Sequence, residues 1–196
     1  MAIPLQVSSP VKIQSPSAAL ATGVAWGLVG GLVATLSMDM VLMAALSAFG
    51  LPPTTCFSIV GDTAGRFFAR LGLQVAGGVL PGVFTHYLIG PLVGAVFGVA
   101  LVLINARRGC TLKKVILLSI LYVEILAQPI LATTPILLKM TAGETLQWFG
   151  GSFVMHFIFA VVLGVVVFYG LRLSDVESSR SRTAAPGVKS SPGAGK

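Results

Sequence analysis

LATGVAWGLVGGLVATLSMDMVLMAALSA, residues 20–48, holds a single charged side chain, Asp39, in a run longer than the roughly 20 apolar residues that cross a hydrocarbon core. Three further runs, 83–104, 115–138 and 148–171, share its character. In lipid a segment must satisfy its own backbone hydrogen bonds, and these runs are far too long for barrel strands, so the pattern predicts four transmembrane helices. The whole chain agrees with that reading. Of its 196 residues, 55 % are hydrophobic and 10 % charged, with mean hydropathy +0.94; an average soluble domain has about 25 % charged residues.

The formal net charge of +7 is a matter of topology, not of nucleic-acid binding, because the basic residues lie between and beyond the spans without aromatic interleaving. Lys12, Arg107, Arg108, Lys113, Lys114, Arg172, Arg180, Arg182, Lys189 and Lys196 fall on one side of a four-span arrangement, and Arg66, Arg70 and Lys139 on the other. The positive-inside rule then predicts a multi-pass protein of the cytoplasmic (inner) membrane with both termini in the cytoplasm. Cys56 and Cys110 fall on opposite sides and cannot pair within one chain. No C-x-x-C occurs, which argues against thiol oxidoreductase chemistry and cysteine zinc sites.

Residues 1–19 are expected to form a flexible cytoplasmic arm, 20–172 the four-helix domain, and 173–196 a disordered basic cytoplasmic tail rich in Ser, Gly and Pro. After Pro52 and Pro53, Phe57, Val60, Ala64, Phe67, Phe68 and Leu71 recur at helical spacing, with Arg66 and Arg70 off the stripe. This predicts a short outer amphipathic helix over about 56–71, lying on the membrane or capping the bundle. The short loops 106–114 and 139–147 make consecutive helices antiparallel neighbours. The expected fold is therefore all-α, a polytopic up-down-up-down bundle.

A carboxylate placed mid-span costs about 2.5–3.5 kcal/mol on insertion scales, and such residues usually face the bundle interior. Small residues lead to the ionisable ones every fourth position: Gly23, Gly27, Gly31, Thr35 and Asp39; His86, Gly90, Gly94 and Gly98; His156, Ala160 and Gly164. Such ridges let backbones approach closely, so the faces carrying Asp39, His86 and His156 are expected to pack together. At about 1.5 Å per residue, Asp39 and His156 lie roughly 12–14 Å below the outer boundary and Glu124 about 20 Å, with Gln128 one turn outward as a bridge. His86 joins that level if the second helix starts within 76–80.

Several functions remain open on these residues. Asp39, His86, Glu124, Gln128 and His156 could fix helix register, or form a proton or small-ion path. His86 and His156 could instead ligate a divalent metal or a haem, although no helix carries two His at i, i+3 or i, i+4; otherwise no cofactor is implied. A third alternative is a structural subunit that docks a partner's helices, or a second copy, through the glycine faces. No nucleophile elbow or Ser-His-Asp arrangement is present, so enzymatic chemistry is not expected. The expected surroundings are the lipid bilayer.

GVFTHYLIGPLVGAVFGVALV (82–102), ILAQPILATTPILL in the third span and GGSFVMHFIFAVVLGVVVFYGLR in the fourth resemble prokaryotic inner-membrane proteins of the YagU-like kind. The likeness covers about 76–102 and 120–171. His86 and His156 match best, whereas Asp39 and Glu124 have no counterpart in it. It implies an inner-membrane location without implying an activity.

Overall fold

A computed structural model of the chain describes residues 15–104 and 111–184. The expectations for the arm before Ser15, for Arg107, Arg108 and Cys110, and for the tail beyond Ala184 fall outside the described residues. Every described element is an α-helix: α1 (Pro16–Ala48), α2 (Thr55–Arg70), α3 (Val79–Leu103), α4 (Leu112–Leu131), α5 (Thr133–Leu138) and α6 (Ala142–Ala184). Four helical stretches are long and apolar enough to cross a membrane: Pro16–Ala48, Val79–Leu103, Leu112–Leu138 and Ala142–Glu177. α6 continues past residue 173, where the sequence reading starts the tail.

Local chemistry sets the helix ends. Ser15 caps α1, its hydroxyl accepting from the Ala18 amide at 3.4 Å, with Pro16 in the first turn. Thr141 and Glu144 form a reciprocal cap at the start of α6: the Thr141 amide donates to the Glu144 carboxylate at 2.7 Å, and the Glu144 amide to the Thr141 hydroxyl at 3.3 Å. The third span is interrupted at Ala132. Pro135 has no N–H for the Leu131 carbonyl, and the Trp148 indole supplies the missing donor at 3.2 Å.

Size sorts the residues of α1. Gly27, Gly30, Gly31 and Ala34 are buried, while Val29, Leu32, Leu36 and Met40 are exposed. Water would penalise such an exterior, but acyl chains do not, and small interior residues are what lets membrane helices pack by van der Waals contact. On α1 and α3 the small ridges meet each other. A Cβ at Gly23 would strike the Gly98 carbonyl, one at Gly27 the Gly94 carbonyl and one at Gly31 the Gly90 carbonyl. The numbers rise on one helix as they fall on the other, so the pair is antiparallel.

The fourth-span ridge goes elsewhere. Gly164 faces Ile116 and Ser119 of α4, and Ala160 is fully buried. The expectation that all three ridges converge is corrected to two separate seams, α1 on α3 and α6 on α4. What joins α1 to α6 is Gly30, off the four-residue ridge, which receives Leu163 and Val167. The Trp26 indole also donates to the Ser174 hydroxyl at 2.8 Å. Leu163, Val167, Ala34, Phe97, Leu101 and Val115 belong to the core that results.

A second expectation also changes. α3 and α4 follow one another in the chain but touch only lightly, because each packs chiefly on α1 or α6. Their contact includes the Tyr122 hydroxyl donating to the Val93 carbonyl at 2.9 Å and the Tyr122 ring tilted against Phe97 at 5.4 Å. The helices therefore stand in the order α3, α1, α6, α4.

Candidate functional site

The glycine seam determines what Asp39 meets. Because α1 and α3 approach backbone to backbone, the side chains at the end of the seam are brought within reach of each other. The Asp39 carboxylate Oδ1 lies 3.2 Å from His86 Nδ1. Asp39 is only 3 % exposed, so its charge has almost no water to rely on. A proton on Nδ1 serves as hydrogen-bond donor to it in either the neutral or the charged imidazole.

α2 closes one side of this pair. A Cβ at Gly82 would collide with the Phe57 carbonyl and one at Gly61 with the Gly78 carbonyl, so α2 lies directly on the first turns of α3. The Phe57 ring stands edge-on to the His86 imidazole, centroids 5.4 Å apart at 79°. α2 is held by the Asp62 carboxylate accepting from the Gly78 amide at 2.8 Å, by Arg66 donating to the Leu137 carbonyl at 3.2 Å, and by Thr63 and Thr134 at 3.3 Å. These ties join it to both α3 and α5. Tyr87 is a hydrogen-bonding neighbour of the Asp39 carboxylate, and Cys56 lies within its electrostatic reach.

Burial and, secondarily, the Asp39 charge push the Cys56 thiol from its ordinary 9.0 up to about 12. The folded chain thus holds this proton more tightly than the unfolded one. The associated stability is present below pH 9 and is lost as pH rises toward 12. Maleimide needs the thiolate, so labelling of the native protein at pH 8 is expected to be at least about tenfold slower than after denaturation. Equal rates would show an exposed, ordinary thiol.

The helix registers locate the other polar residues. With Gly30 opposite Leu163 and Val167, carrying the α1–α6 pairing forward to Asp39 reaches His156. On the other seam, Gly164 meets Ile116 and Ser119, and Leu131 meets Trp148. Glu124 lies about midway between these two contacts, which again gives the level of His156. The expected greater depth of Glu124 is therefore corrected. α6 begins at Ala142, not near residue 148, so His156 sits farther along its helix than the sequence count implies.

Across one level of the molecule run His86 on α3, Asp39 on α1, His156 on α6 and Glu124 on α4. Asp39 and His86 are in contact, and His86 acts electrostatically on His156. Glu124 stands apart from that group with its own partner, Gln128, whose Nε2 donates to Oε2 at 2.8 Å. Buried atoms without a hydrogen-bond partner include Asp39 Oδ2, His156 Nδ1 and Glu124 Oε1. Native structures leave few buried polar atoms unpaired, and these three lie along one row; a further one, Ser119 Oγ, lies on α4 away from it.

Among the described residues, no group of three or more His, Cys, Asp or Glu side chains stands close enough to hold a metal ion. Cys56 and Phe57 join the site without a functional signal in the sequence, because their contact with the Asp39–His86 pair depends on how α2 folds back. The molecule belongs to the class of all-helical proteins with several helices long and apolar enough to span a membrane. Comparison with protein-family models, with curated proteins and with solved structures gives no match.

Proposed function

We propose that the chain is an inner-membrane protein of up-down-up-down topology, both termini in the cytoplasm and α2 on the outer side, that moves protons or a small cation through Asp39, His86 and His156. Glu124 and Gln128 extend the row on the far helix. The carrying observation is the set of unpartnered buried atoms on Asp39, His156 and Glu124 at one level. A register-fixing contact needs its polar atoms paired, whereas a relay needs acceptors that can take and release a proton. Intramembrane acids and imidazoles are the usual carriers in such paths.

Other readings have less support. A metal or haem on His86 and His156 has less to stand on, because among the described residues no group of three or more His, Cys, Asp or Glu side chains stands close enough to hold a metal ion. Docking of a partner through the glycine faces competes with the seam that α1 and α3 make with each other. The YagU-like resemblance fits the proposed location and leaves the activity to these residues.

The purified protein in liposomes carrying a pH-sensitive dye tests the proposal. Proton or cation flux is expected in the wild type and is expected to be lost in Asp39→Asn inserted to the same level. Normal flux in Asp39→Asn, or none in the wild type under either a proton or an alkali-cation gradient, overturns it.

A further inference from the structure

Between α4 and α6 an open groove of about 550 Å³ is lined by Glu124, Ile125, Gln128, Phe149, Gly150 and Phe153. Its volume falls in the range of small-molecule sites. Both helices belong to the stretches long enough to cross a membrane, so the groove opens toward the acyl chains.

Its polar content is biased toward acceptors. Glu124 Oε1 is buried without a partner, while Oε2 is occupied by Gln128. Pro129, inside α4, has no N–H to offer the Ile125 carbonyl. No Lys or Arg lines the groove. Phe149 and Phe153 stand one turn apart on the same face of α6, and aromatic faces attract cations. Gly150 leaves the space between them unfilled, since a Cβ there would meet nothing within 4 Å.

From this arrangement we infer that the groove binds a lipophilic cation, an ammonium or phosphonium centre carried on an apolar body. The carboxylate oxygen and the two rings supply the attraction for the charge. The groove walls and the surrounding lipid take the apolar part. The inference shares Glu124 with the far end of the proposed proton row, but it requires neither Asp39 nor His86, so the two readings can fail separately.

The experiment is equilibrium binding of radiolabelled tetraphenylphosphonium to the full chain in detergent. Saturable binding is expected, undiminished by the neutral analogue tetraphenylsilane and weakened at least about tenfold by Glu124→Gln, the scale of one lost charge-assisted contact. A Cβ at Gly150 meets nothing within 4 Å, so Gly150→Leu is expected to obstruct the groove and abolish binding in a protein that still folds. That second variant decides the matter if Glu124→Gln does not fold. Asp39→Asn is expected to bind the probe as the wild type does, which separates this site from the flux reading. No saturable binding, or affinity unchanged in both Glu124→Gln and Gly150→Leu, overturns the inference. So does a Gly150→Leu protein that loses a dimer while its probe binding stays the same, because the groove then seats a second copy.

Discussion

Gly94→Leu is expected to separate α1 from α3 and to remove most of the folded population. Overpacking a core usually costs about 1–3 kcal/mol because neighbouring side chains can rearrange. At Gly94 the obstruction is the backbone of Gly27 and Gly31, which cannot turn aside. The expected loss therefore exceeds about 3 kcal/mol, a large share of the stability of an ordinary domain. Unfolding midpoints in mixed micelles measure it, with Gly150→Leu, the same change in open space, as the control. A midpoint for Gly94→Leu equal to the wild type would mean that the seam is not the contact that holds these helices. The same variant is expected to lose flux, since the 3.2 Å approach of Asp39 to His86 depends on the seam.

The second large effect belongs to the buried pair itself. His86→Ala leaves the Asp39 carboxylate without its partner in a place that is 3 % exposed. Breaking a buried pair by removing one member costs about 3–5 kcal/mol, because the remaining charge must be neutralised or left uncompensated. Replacing both Asp39 and His86 by leucine is expected to recover most of that loss, since no isolated charge remains. A double-mutant cycle on unfolding free energies measures the coupling. Strictly additive losses would show that the two side chains do not stabilise one another.

The spans were legible in the sequence because the membrane imposes one requirement, an apolar length, that composition alone satisfies. The α1–α3 seam was legible for a related reason: glycine every fourth residue on two helices has few uses other than close approach. It also carried Asp39 to His86. The sequence failed where the decisive partner was distant or the local cue was overlooked. The ridge ending at Gly164 looks like the other two, yet it serves α4, and nothing along α6 distinguishes those destinations. Gly30 lies off the ridge and holds α6. The early start of α6 was readable, because Thr141 and Glu144 stand at the spacing of a capping box, but the polar residues around them resemble a loop. That six-residue displacement made His156 look too shallow, and so Glu124 too deep beside it. Cys56 and Phe57 reach the site by a chain reversal that helix periodicity does not encode.

The arrangement of contacts divides the molecule mechanically. A seam made of backbone against backbone has no side chains to act as bearings, so α1 and α3 can neither slide nor roll without colliding, and α2 is fastened to the same block. α4 is different: it meets α3 lightly, and its helix is interrupted at Ala132 before α5. The stiff block carries Asp39 and His86, while the compliant side carries Glu124 and one wall of the groove. What joins the two sides is therefore mainly α6, which packs on both α1 and α4.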